Sequence, residues 1–188
     1  MAKQDIMPAD SPGGGHCRVL EFPVAAAQTF VEGAVVRVNT SGQLVASVDN
    51  PTSANVFGIA ATGGDTTAGT GTLDPDTGSV ITTGGMVKVY VPDITTVFRT
   101  MNFSSAGAAF GDVAPAAGHI GDEINIELIG GNYGVGIAGS NNLGRIVDVV
   151  NADGNSVMRS GGTGVTVYFQ LLAHQSTPVT GVVTAPAA

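Results

Sequence analysis

Few residues of this 188-residue chain have the types and spacing that chemistry requires. Asp74-Pro75-Asp76, with Gly78 close behind, sets two carboxylates near each other in a Gly- and Thr-rich stretch, as in loops that bind calcium through oxygen. The EF-hand spacing is not met, because the glycine falls one place early and the twelfth position is Gly85 rather than a glutamate. Two aspartates in a surface loop are ordinarily just solvated. His16-Cys17 follows three glycines. A thiolate nucleophile needs a base beside it, and neighbours along a strand point to opposite faces. Cys17 therefore reads as a small apolar residue. Two ligands do not complete a zinc site, and His119 and His174 stand alone. Gly134, Gly136 and Gly139 satisfy G-x-G-x-x-G, but Ser140-Asn141-Asn142-Leu143-Gly144 cannot open the helix that a dinucleotide site needs. These glycines read as turn and close-packing positions.

Asp76-Thr77-Gly78-Ser79 resembles the catalytic signature of aspartic proteases, and Leu128-Ile129-Gly130 resembles the second apolar element of the retroviral type. That resemblance implies two carboxylates, one from each subunit of a homodimer, sharing a proton while one activates water. The context differs. Asp74-Pro75 precedes the motif where the family has a buried apolar strand, and Asn132-Tyr133-Gly134-Val135 continues as a strand where the family has a helix. The local reading is an Asp/Gly turn. The expectation is a chain that is not an enzyme, with no catalytic, metal or cofactor-binding residues.

The elements that would have to position any site are strands. Ile124, Ile126 and Leu128 alternate with Asn125 and Glu127; Val165, Val167, Phe169 and Leu171 alternate with Thr166, Tyr168 and Gln170; Met86–Val91 does the same. A period of two predicts strands with one buried face, so Asn125 and Glu127 are expected on the solvent side. Regular structure should begin near Arg18. Val35–Val38 and Gln43–Ala46 read as a hairpin, followed by a strand over Val56–Ala60. Residues 62–79 read as a long exposed loop. Further strands are expected at Ser79–Thr82, Val97–Met101 and Thr163–Leu172. Ile124–Ile129 should pair with Tyr133–Ile137 through Gly130-Gly131, and Arg145–Val150 with Val157–Arg159. Residues 104–121 read as loop or irregular strand. About ten short strands predict an all-β barrel or sandwich. Residues 17–175 are expected to form one domain, with flexible arms at 1–16 and 176–188.

Only 12 % of residues are charged, and the net charge is −8. The seven basic residues are scattered, which argues against a nucleic-acid groove, whereas an acidic surface can steer towards a basic protein partner. One cysteine permits no intrachain disulfide. No 18-residue apolar run is present, so no membrane-spanning helix is expected. Met1–Pro12 lacks the basic start and apolar stretch of a signal peptide, and synthesis in a cytoplasm is expected.

Gly33–Val38, Ser41–Val45, Asn50-Pro51, Val56–Ala60, Val87–Pro92 and Gly164–Phe169 resemble the small all-β decoration, or cement, proteins of tailed-bacteriophage capsids. The resemblance covers about two-thirds of the chain. It implies a barrel or tulip-like body, often trimeric, bound to the major capsid protein on the outer surface of the virion and stabilising the head. A β-sandwich binding module or fibre-type piece is the alternative. A carbohydrate platform would have to come from Tyr90, Tyr133 or Tyr168, since Trp is absent.

Overall fold

The computed structural model describes residues 6–9, 17–65, 85–93, 95–158 and 161–172. The alternating segments become strands. In Met86–Val91, Val87 and Val89 are buried while Met86 and Lys88 are exposed. In Thr166–Leu171, Val167, Phe169 and Leu171 are buried. In chain order the strands are β1 Met7–Pro8, β2 Arg18–Pro23, β3 Thr29–Phe30, β4 Val35–Val38, β5 Leu44–Ala46, β6 Gly58–Ala60 and β7 Gly64–Asp65. They continue with β8 Met86–Val91, β9 Val97–Thr100, β10 Phe103–Ser104, β11 Glu123–Ile129, β12 Asn132–Gly136, β13 Gly144–Val150 and β14 Thr166–Leu171.

A seven-stranded sheet runs β1-β9-β14-β13-β11-β12-β10, and a five-stranded sheet runs β2-β8-β6-β4-β5; β3 and β7 form a small ribbon. All pairings are antiparallel except β10 with β12. The protein is thus all-β and sandwich-like, with no closed barrel among the described residues. One apolar cluster draws on both sheets, joining Val36, Ile59, Val87 and Val89 to Ile124, Ile126, Ile146, Phe169 and Leu171. Each such side chain contributes about 1.5–3 kcal/mol on burial. Phe98 and Phe169 meet at 5.9 Å across β9 and β14.

Two of the expected hairpins form: β4 pairs with β5, and β11 pairs with β12 across Gly130 and Gly131, which both have positive φ. Three expectations change, while the irregular course expected over 104–121 is found. Residues 6–9 lie within the expected N-terminal arm, yet Met7 and Pro8 pair with Arg99 and Phe98, and Ile6 is fully buried in the core. The buried isoleucine fixes this segment to the sheet edge. Val157 and Met158 form no strand beside β13, and Arg159 lies outside the described residues. The Asn151 carboxamide closes a tight turn onto the backbone N–H groups of Asp153 and Asn155, leaving one bridge, Val150 with Ser156, while β14 takes the length of β13. Within 104–121 the chain forms the end of β10 and a short 3-10 turn at Ala117–His119. Val165, at the start of β14, is 41 % exposed because its side chain lines an open cleft, and Leu128 is only half-buried. The C-terminal arm at 176–188, the strand at Ser79–Thr82 and most of the 62–79 loop lie outside the described residues.

If Ile6 is part of the core, Ile6→Ala should lower stability by about 2–5 kcal/mol, read from the urea midpoint. An unchanged midpoint would return residues 6–9 to the status of a passive arm.

Candidate functional site

The site that the structure does build lies on β11, and it starts from a departure from the alternation rule. Ile124 and Ile126 face the apolar core, as their spacing predicts. Asn125 and Glu127, on the opposite face, are also buried, at 1 % and 5 % exposure. The second face is covered by three loops. From 47–50, the Asp49 carboxylate accepts the Leu128 N–H at 2.8 Å, and the Asn50 N–H donates to the Ile126 carbonyl at 3.1 Å. From 137–142, the Asn141 and Asn142 N–H groups donate to Asn125 Oδ1 at 2.7 and 3.1 Å. Asn141 Nδ2 also donates to the Asn50 carbonyl at 2.7 Å, tying the first two loops together. The third loop, 104–112, is organised by Asp112, whose carboxylate accepts the Ser105 and Ala106 N–H groups, both at 2.9 Å, and the Ser104 hydroxyl at 3.1 Å.

Glycines make room for the polar face. A Cβ on Gly136 would collide with the Glu127 carboxylate, and one on Gly139 would collide with the Asn125 carboxamide. The glycines that match a dinucleotide fingerprint are close-packing positions, as expected. Two polar atoms on this face have no hydrogen-bond partner: Asn125 Nδ2 and Glu127 Oε2. A cavity of 180 Å³ opens beside Glu127, between Asp49, Gly107, Ala138 and Gly139.

Burial pushes the Glu127 carboxyl above its ordinary range, and the negative charges of Asp49 and Asp112 push it further the same way. Asp112 is held below its ordinary range, chiefly by the Ser105 N–H. The arrangement is therefore a recessed acidic pocket whose central carboxylate lacks a donor. It can hold a proton or accept hydrogen bonds from a cationic group. Among the described residues no three His, Cys, Asp or Glu side chains converge on a metal position.

The sequence-derived candidates fall elsewhere. Asp74, Asp76 and Ser79 of the protease-like motif, together with His16 and His174, lie outside the described residues. Leu128-Ile129-Gly130 closes a hairpin. Burial raises the Cys17 thiol to about 11, the opposite of an activated nucleophile; the side chain is half-buried, with Sγ 3.7 Å from the Val91 carbonyl. His119 accepts the Ala116 N–H on Nδ1 at 3.0 Å and stacks near Phe103, so it braces a turn. Tyr133 is buried and donates to the Ser47 carbonyl at 2.6 Å, which removes it as a sugar platform. Tyr168 instead lines a second, open cleft of 320 Å³ with Arg99, Asn151, Met7 and Met101. Sequence reasoning missed the Glu127 pocket; the available signal was the set of glycines facing two polar strand positions.

The chain matches no family model, and no curated protein or solved structure shows significant similarity to it.

The raised acid has a consequence for stability. The folded state holds the Glu127 proton more tightly than the unfolded chain, so its contribution is fully present below the ordinary glutamate range and is lost as pH rises through the raised value. Asp112 acts in the opposite sense, contributing above the ordinary aspartate range and losing that contribution as pH falls. Glu127→Gln should therefore raise the melting temperature at pH 7.5, with little effect at pH 4. A melting temperature lowered by the same amount at both values would show that the carboxylate makes an ordinary packing contact.

Proposed function

We propose that the chain is a structural decoration protein that binds the major capsid protein of a tailed-phage head and stabilises the lattice as a homotrimer on the virion surface. One observation carries this reading. Four of the segments on which the sequence resemblance rests become β4, β5, β6 and β8, neighbours in one five-stranded sheet, with β8 joining the first three from beyond the 62–79 stretch. The segments that carry the resemblance thus share one sheet, which supports reading them together. The edge strand β2, six residues long, pairs on one side with β8, and among the described residues its other side has no strand partner. An open edge of this kind suits strand addition by a neighbouring subunit. The dense internal bracing of the loops around β11 suits a rigid part repeated many times on a lattice, where weak contacts add through avidity.

A second reading, a ligand-binding module, draws on the open cleft beside Tyr168 and Arg99. Its volume lies at the lower end of the range for small-molecule sites. A glycan panel separates it from the first.

The decoration reading predicts that purified protein co-sediments with capsids lacking their own decoration and raises their disruption temperature, and that light scattering gives a trimer mass. A monomer both free and on capsids, or no co-sedimentation at saturating concentration, would refute it.

A further inference from the structure

The pocket beside Glu127 is an open recess in an otherwise closely hydrogen-bonded region. Its carboxylate reaches the cavity wall: Oε1 lies 3.4 Å from the point where a Cβ on Gly107 would stand, and Gly107 lines the cavity. Glu127 is only 5 % exposed; its fully enclosed Oε2 has no hydrogen-bond partner, while Oε1 is the oxygen beside Gly107 on the cavity wall. The neighbouring Asp49 also lines the cavity, and it shares the sign of Glu127. Asp112 adds a third negative charge nearby, already engaged by Ser104, Ser105 and Ala106. An acidic recess with an unsatisfied carboxylate is complementary to a positive donor group, and it sits in a chain whose net charge is −8.

We infer that this pocket receives one arginine side chain presented by a partner protein, with the guanidinium donating to the Glu127 and Asp49 carboxylates. Two observations favour an organic cation over a metal ion, and the chemistry of the guanidinium favours arginine over lysine. No cluster of three acidic, His or Cys ligands converges among the described residues. The cavity, at 180 Å³, is many times the roughly 10–15 Å³ that admits a single water-sized group, and it accommodates a planar head with part of its stem. A guanidinium presents several donors in a fixed fork and is less strongly hydrated than an ammonium, so it enters a recessed site more readily. The inference stands on the pocket itself and goes beyond the capsid reading; it holds for any partner that presents an arginine there.

The test uses the full-length protein labelled with ¹⁵N at pH 7.5. Nα-acetyl-arginine amide, Nα-acetyl-lysine amide and calcium chloride are titrated separately while the amide signals of Gly107, Ala138 and Gly139 are followed. The expected result is a saturable shift with the arginine probe, weaker with the lysine probe, and reduced about tenfold or more in affinity by Glu127→Gln. Asp49→Asn provides the second variant, with the same direction of loss, should the first perturb the fold. Saturation by calcium with no response to arginine would overturn the inference in favour of a metal site. Absence of any shift, or arginine binding undiminished in both folded variants, would overturn it outright.

Discussion

Strand β11 is buried on both faces, and one of those faces is polar. A strand in a sandwich ordinarily turns its polar side to water, so burying that side creates a demand for hydrogen-bond partners. The three loops 47–50, 104–112 and 137–142 answer much of that demand. They are anchored by groups on β11 or by acids beside it: Asn125 Oδ1 receives Asn141 and Asn142, Asp49 receives Leu128, and Asp112 gathers its own loop. The same strand bridges the seven-stranded sheet, pairing with β13 through Glu123 and Ile124 and with β12 through Asn125–Ile129. Both the sheet and the loop cover therefore depend on one seven-residue segment.

The demand is not fully met, and where it fails is informative. Glu127 Oε2 and Asn125 Nδ2 remain without partners, although the rest of the region is closely hydrogen-bonded. An unsatisfied buried polar atom costs about 1–3 kcal/mol, more when it is charged. The negative charges of Asp49 and Asp112 raise that cost further, and a proton on the carboxyl would lower it. A cationic group entering the cavity would lower it by another route. Local destabilisation of this kind is a common companion of a binding site.

Much of the fold was legible from local pattern. The β4–β5 and β11–β12 hairpins, and the buried faces of β8 and β14, follow from two-residue periodicity and turn glycines. The rest depended on partners distant in sequence. Met7-Pro8 is too short to announce a strand, and Pro8 lacks a backbone donor; its place comes from Ile6 entering the core and from pairing with Arg99 and Phe98. Alternation correctly divided β11 into two faces, but periodicity cannot say what covers the polar one. Gly136 and Gly139 carried a partial signal, since each is a glycine standing where any side chain would meet Glu127 or Asn125. Val165 shows the complementary error: it continues the apolar alternation to the start of β14, where its N–H still bonds the Val150 carbonyl, but its side chain lines an open cleft and is exposed.

The central physical claim is that β11 holds an ionisable carboxyl in a buried, acidic, unpartnered position. The direct measurement is the pH titration of the Glu127 side-chain ¹³Cδ resonance in the free protein, assigned by comparison with Glu127→Gln. The account predicts a midpoint clearly above the ordinary glutamate value of about 4.3, moving down towards it in Asp49→Asn. A midpoint at or below the ordinary value, unmoved by Asp49→Asn, would contradict it.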